Sequence, residues 1–171
     1  MGDIKNLINK EAIVKIQKLA TDVDITMFCT NLGGKPFSTC PMSTQQVEDD
    51  GTIWFFSNKN SDHNKDIKSD PATQLIYSSK AGDTDHLSVY GTSEITFDRA
   101  KAEELFTPMI KTWFPEGVDD PELTMIKFTP SEGYYWDTKN GQMVAFAKMM
   151  ASVVTGKEGM DDGIEGKLKV N

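Results

Sequence analysis

Between Asp24 and Ser57 the sequence holds three short runs rich in strand formers: Asp24 to Asn31 (DITMFCTN), Pro36 to Gln45 (PFSTCPMSTQ) and Thr52 to Ser57 (TIWFFS). Only two turn signals separate them, Leu32 to Lys35 with its Gly-Gly pair, and Glu48 to Gly51. Connections of this kind fold a strand back on its neighbour, so three antiparallel strands are predicted in succession. The last run is short, apolar and aromatic, which favours a buried strand over a helix.

The flanking segments follow the same logic. Leu7, Ile8, Ala12, Ile16 and Leu19 lie at helical spacing, with Lys10, Glu11, Lys15 and Lys18 largely opposite, predicting an amphipathic helix over about Asn6 to Ala20. Ser61 or Asp62 can cap a short helix through Ile67, ended by Asp70-Pro71 because a residue before proline leaves the helical region. Thr73 to Ser78 and His86 to Phe97 are expected as the fourth and fifth strands, Gly91 marking a bulge or a close backbone approach. A helix capped by Asp98 is expected through Lys111, then an irregular segment punctuated by proline and glycine. Leu123 to Phe128 and Gly133 to Asp137 are either a strand pair or one bent strand, and Met143 to Thr155 fits a last helix. The Gly- and charge-rich remainder, 156–171, is expected to be a mobile tail after one domain over 1–155. Short strands with hairpin signals and helices near the ends make the expected fold mainly β, an antiparallel barrel with flanking helices.

Charge narrows the partners. Lys and Arg total 18 against 26 Asp and Glu, a formal charge of −8, which disfavours nucleic acid and anionic membrane surfaces. Arg99 is the sole arginine, so a phosphate site has to use Lys, His, hydroxyls and backbone N–H groups. Cys29 and Cys40 sit in strand-like runs without zinc or CxxC spacing and are expected as two buried free thiols. With neither a signal-peptide pattern nor a membrane-length apolar stretch, the expected location is the cytoplasm.

The region from Pro36 to Asp70 is the candidate cradle for a phosphorylated ligand. Taken singly, its residues have plain readings: Trp54, Phe55 and Phe56 as core aromatics, and His63 as a solvated loop histidine. Asp83, Asp85 and His86 match no metal-ligand spacing, and Ser57 and Ser61 lack a nucleophile-elbow pattern.

Thr52 to Ser57, preceded by Cys40-Pro41-Met42 and followed by Ser61, His63, Asp66 and Ile67, resembles the pyridoxamine 5′-phosphate oxidase-like FMN-binding split barrels. Trp113 to Gly117 (WFPEG), Asp120 to Leu123 (DPEL) and Tyr135-Trp136-Asp137 point to their general stress protein branch. The resemblance implies a homodimer with FMN at the subunit interface. It places Thr39, Cys40, Pro41 and Met42 along the flavin, and Phe55, Phe56 and Ser57 beside its ring or ribityl chain. Ser61, His63, Asn64 and Lys65 would surround the phosphate, and Trp113 or Trp136 would come from the partner subunit. Family members commonly carry arginine where Cys40 stands and lysine where His63 stands, so FMN is expected to be held weakly or not at all. No general acid or base stands out. Two functions follow from the resemblance: flavin redox chemistry on an unidentified small molecule, or a non-catalytic flavin-binding or stress-response module. A redox role for Cys29 and Cys40 would need thiols accessible from solvent, against their strand positions.

Overall fold

The computed structural model describes residues 3–79, 85–138 and 163–170. Two short strands, β1 (Asp3–Ile4) and β2 (Leu7–Ile8), precede helix α1 (Asn9–Val23). Four strands follow: β3 (Ile25–Thr30), β4 (Ser38–Ser43), β5 (Gln46–Val47) and β6 (Ile53–Asn58). Helix α2 (Asp62–Ser69) leads to β7 (Ala72–Ser78), β8 (His86–Thr96) and helix α3 (Arg99–Leu105). Two 3-10 turns, Ile110–Thr112 and Gly117–Asp119, then lead into β9 (Leu123–Thr138) and β10 (Gly163–Lys169).

Local chemistry accounts for most of these boundaries. Helix α1 buries Ala12, Ile16, Leu19 and Ala20, the face set by their helical spacing. Helix α2 begins where the Ser61 hydroxyl accepts from the Asn64 N–H at 3.3 Å and stops at Asp70, before Pro71. Helix α3 is capped by Asp98 as expected but ends at Leu105, well short of Lys111. Pro108 pushes Thr107 out of the helical region and offers no N–H to the previous turn, so Ile110 starts a separate 3-10 turn.

The hydrogen-bonded order is β4-β3-β7-β8-β9, all antiparallel. Strand β9 is one long strand whose 123–128 half pairs with β6 and whose 132–138 half pairs with β10, while β8 runs beside both. The change of partner coincides with a register shift between Tyr90 and Gly91, where Gly91 faces Pro130. A Cβ on Gly91 would stand 2.1 Å from the Thr129 carbonyl oxygen, so only glycine permits this approach. The expected folding of Thr52 to Ser57 back on Pro36 to Gln45 is corrected: the Glu48–Gly51 turn joins β6 to the two-residue β5, β4 and β6 share no ladder, and the barrel is split along that seam. The mainly β, split-barrel architecture expected from the sequence is the one found.

Phe28, Ile53, Phe55, Leu75, Tyr77, Leu87, Val89, Ile126, Phe128 and Tyr135 fill the barrel, with Phe28 and Phe55 in edge-to-face contact at 5.3 Å. Alternation along β6 turns Trp54 and Phe56 to the other side. There Trp54 packs with Ala102 and Met125, while Phe56 meets Ile110 and Phe114 of the irregular segment and Leu123 of β9.

The C-terminal residues correct the expectation of a mobile tail: Gly163–Lys169 forms β10, antiparallel to β9 and parallel to β1 and β2. A period of two lies inside the charge-rich composition, with Lys167 and Lys169 exposed and Gly166, Leu168 and Val170 buried. Gly166 lets the Lys5 carbonyl approach to a place where a Cβ would stand 2.0 Å from its oxygen. The helix expected over Met143 to Thr155 lies outside the described residues. Because Leu168 is 1% exposed, Leu168→Ala is expected to lower the unfolding free energy by about 2–5 kcal/mol. Lys169→Ala should change it little, as urea denaturation of the two variants will show.

Candidate functional site

The open seam between β4 and β6 forms a cavity of about 480 Å³. Ile25, Cys40, Pro41, Met42, Ser43 and Gln45 line it from the β3–β5 side, and Phe56, Ser57, Asn58 and His63 from β6 and α2. Ile110, Trp113 and Phe114 complete it from the irregular segment. Strand alternation places Cys40 and Met42 beside Phe28 and Thr26 in register, so these side chains face the interior while Thr39, Pro41 and Ser43 take the other face. The walls are mostly apolar; Ser57, Asn58 and His63 form a polar end where β6 meets α2, and Ser43 and Gln45 lie across on the β4 side.

That polar end is a chain of hydrogen bonds with one consistent assignment. Asn64 Nδ2 donates to the Asn58 carbonyl and to Thr124 Oγ1, both at 3.0 Å. Thr124 in turn donates to the Ser57 carbonyl at 3.0 Å. Asn64 Oδ1 is therefore the acceptor for the Ser57 hydroxyl at 2.8 Å, which commits that hydroxyl's one proton. The 2.7 Å contact between Ser57 Oγ and His63 Nε2 then requires Nε2–H to donate. This leaves the His63 Nδ1 lone pair facing Cys40 Sγ at 3.6 Å. Burial pushes the His63 pKa down against the pull of Asp62 and Asp66. Burial, with Cys29 nearby, pushes the Cys40 thiol up. The resting pair is thus a neutral thiol and a neutral imidazole.

The residues singled out from the sequence divide between the cavity and its surroundings. Cys40, Pro41, Met42, Phe56, Ser57, His63 and Trp113 line the cavity together. Phe55 is fully buried against Phe28, and Thr39 lies on the opposite strand face, where its hydroxyl meets the Cys29 thiol at 3.6 Å. Ser61 and Asn64 sit behind the wall, one capping α2 and the other wholly buried in the network just described. Lys65 points outward and pairs with Asp62 at 2.8 Å. Trp113, 68% exposed, lines the cavity of its own chain. Trp136 stands on β9, 40% exposed and packed on Tyr134 with ring centroids 4.8 Å apart. Cys40 is only half-buried, so the expectation of two buried thiols holds for Cys29 alone.

Ile25, Ser43, Gln45, Asn58, Ile110 and Phe114 were not singled out from the sequence. Phe114 stood beside Trp113 in the WFPEG run, which was a usable signal, whereas Ile110 was hidden by the expectation of a continuous helix. Among the described residues no group of three or more His, Cys, Asp or Glu is placed to hold a metal ion. None of the described helices is long and apolar enough to cross a membrane.

A depressed His63 pKa makes the folded chain bind fewer protons than the unfolded chain just below the ordinary histidine value of 6.5. Stability is therefore full above that value and falls as the pH drops through it. Asp85, whose pKa is raised chiefly by burial and then by Asp137, acts with the opposite sign. The clean measurement is a comparison: the urea midpoint should fall between pH 7.5 and 5.5, and His63→Gln should flatten that part of the profile.

A family model described as pyridoxamine 5′-phosphate oxidase like matches residues 11–161. Among solved structures, the chain is similar to one described as a general stress protein 26 from Jannaschia sp. CCS1. The two are 26% identical with a TM-score of 0.75, over 91% of this chain and 96% of that one. It is also similar to a protein related to general stress protein 26 from Clostridium acetobutylicum, 25% identical with a TM-score of 0.61, over 74% and 89%. It shares its fold with the general stress FMN/FAD binding protein of Xanthomonas citri, at 24% identity and a TM-score of 0.65, over 78% and 93%. No match was found among curated proteins. A split barrel with a cavity along its seam, matched by the family model from the first helix to beyond the long strand, leads to one conclusion: the chain belongs to the pyridoxamine 5′-phosphate oxidase-like family.

Proposed function

We propose that this chain binds FMN in the seam cavity and acts as a flavoprotein of the general stress protein type. One observation carries the reading: an apolar slot of about 480 Å³ that ends in a cluster of polar groups. Met42, Phe56, Trp113 and Phe114 suit a planar heteroaromatic ring, and Ser57, Asn58 and His63 offer polar contacts at the other end. The fold is shared with a protein whose description is FMN/FAD binding. When bound, a flavin supplies hydride and electron transfer, and the chain's own residues bind, orient and shield it.

The fit is better for the ring than for the phosphate. Among the described residues the lining contains no lysine or arginine, and burial favours the neutral form of His63, whose Nε2–H is committed to Ser57. A dianionic phosphate without a charged partner loses the stronger class of hydrogen bond. This favours weak binding and keeps open the second reading, a module that holds a flavin without turning over a substrate.

A homodimer is part of the proposal. Ile25, Met27 and Ile76 are 48%, 42% and 41% exposed, and Met27 is in register with both Ile76 and Pro41. This apolar strip adjoins the cavity wall at Ile25 and Pro41, so a second copy laid over it would cover the edge of the slot.

Titration with FMN, followed by quenching of flavin fluorescence, tests the reading, and an absence of quenching at micromolar protein would overturn it. His63→Lys should tighten binding about tenfold, corresponding to roughly 1.4 kcal/mol, while His63→Ala should weaken it. Reduction of the bound flavin by NADH or NADPH separates an oxidoreductase from a holding module. Light scattering should return twice the chain mass for the native protein and the chain mass for a Met27→Glu, Ile76→Glu double variant. A native monomer would remove the homodimer from the proposal.

A further inference from the structure

We propose that Cys40 is a nucleophile built into the cavity, with His63 as its base, and that it forms thioethers with small uncharged α,β-unsaturated carbonyl compounds. Three observations place the chemistry. The Cys40 sulfur lies on the cavity wall, 3.6 Å from His63 Nδ1. The hydrogen-bond chain through Ser57 and Asn64 holds the imidazole with its proton on Nε2, so Nδ1 presents a lone pair to the thiol. Among the described residues the cavity wall carries apolar side chains such as Met42, Phe56 and Phe114 and no lysine or arginine, which suits an uncharged carbon skeleton. Cys29 is an internal control: it is 2% exposed, and its thiol contacts are to the Met27 carbonyl and Thr39 Oγ1.

The addition needs neither an oxidant nor a leaving group. The Cys40 sulfur bonds to the β-carbon while the carbon–carbon π bond opens to an enolate, and the thiol proton passes to His63 Nδ1. The imidazolium then returns that proton to the α-carbon, giving a saturated carbonyl thioether and restoring the neutral imidazole. Burial favours the neutral forms of both groups, so the base is available at neutral pH. The groups facing His63 are Asp62 and Asp66 from α2, Ser57 from β6, Cys40 from β4 and the Phe28 ring from β3, and Cys29 of β3 lies near Cys40. Lys65, on the same helix, is paired with Asp62. The addition uses the same cavity as the proposed flavin but needs no flavin, so it is tested on the flavin-free chain, because bound FMN would compete with the probe.

N-Ethylmaleimide is a suitable probe, applied to the purified full chain and followed by intact mass and peptide mapping. One adduct per chain is expected, on Cys40, with Cys29 unmodified. The rate in the native chain should be nearly flat from pH 7 to 9, because the neutral imidazole takes the proton throughout. In His63→Gln the rate should rise about tenfold per pH unit, as for a thiol that must ionise by itself. Labelling of Cys40 no faster than Cys29, or a tenfold rise per pH unit in the native chain, would overturn the proposal. The second result needs no variant, so the test survives a His63→Gln chain that fails to fold.

Discussion

A strand has two edges, so β9 can serve β6, β8 and β10 only by changing one partner midway along its length. The change occurs at Pro130, which has no N–H to donate, opposite Gly91, whose missing Cβ lets the two backbones close on each other. One half of β9 thereby holds β6 in the barrel and the other half holds the C-terminal strand. The ring is consequently carried by β9 and β8 on one side and left without a ladder between β4 and β6 on the other.

The split has a physical consequence for side chains. Where no ladder exists, polar groups have to be satisfied by other means, since a buried unpaired donor or acceptor costs about 1–3 kcal/mol. Ser57, Asn64 and Thr124 do this between β6, α2 and β9, with Asn64 fully buried and three of its side-chain contacts used. His63 is drawn into the same network by Ser57, which fixes its ring and its tautomer. The cavity beside this network thus has a hydrogen-bonded polar end next to largely apolar walls.

Much of the architecture was legible in short stretches of sequence. The Gly-Gly and Asp-Asp-Gly turns, the Ser61 and Asp98 caps, the Pro71 stop and the Gly91 irregularity each act through neighbouring residues, and each appears where expected. The misses are also local in origin. The apolar spacing of α3 runs on past Leu105, yet Pro108 stops the helix, and the alternation of β10 spans few residues amid glycine and charge. Of the proposed site, the β4 and β6 segments hold Cys40, Pro41, Met42, Phe56 and Ser57 on the cavity lining, whereas Thr39 and Phe55 are not among the lining residues, Phe55 being buried against Phe28.

What the sequence determined by itself is the set of hairpins, caps and breaks, because turn chemistry and side-chain periodicity operate over a few residues. It also carried enough ordered motifs to identify the family. Only the tertiary structure decided that Cys40 and His63 meet, that Trp113 lines the same cavity, and that residues 163–169 join the sheet. Those outcomes depend on pairing between segments far apart in the chain, where the winner is set by shared burial and ladder register. No local pattern encodes the distance between a thiol on one strand and an imidazole on a helix beyond the next, yet that distance governs the chemistry of the cavity.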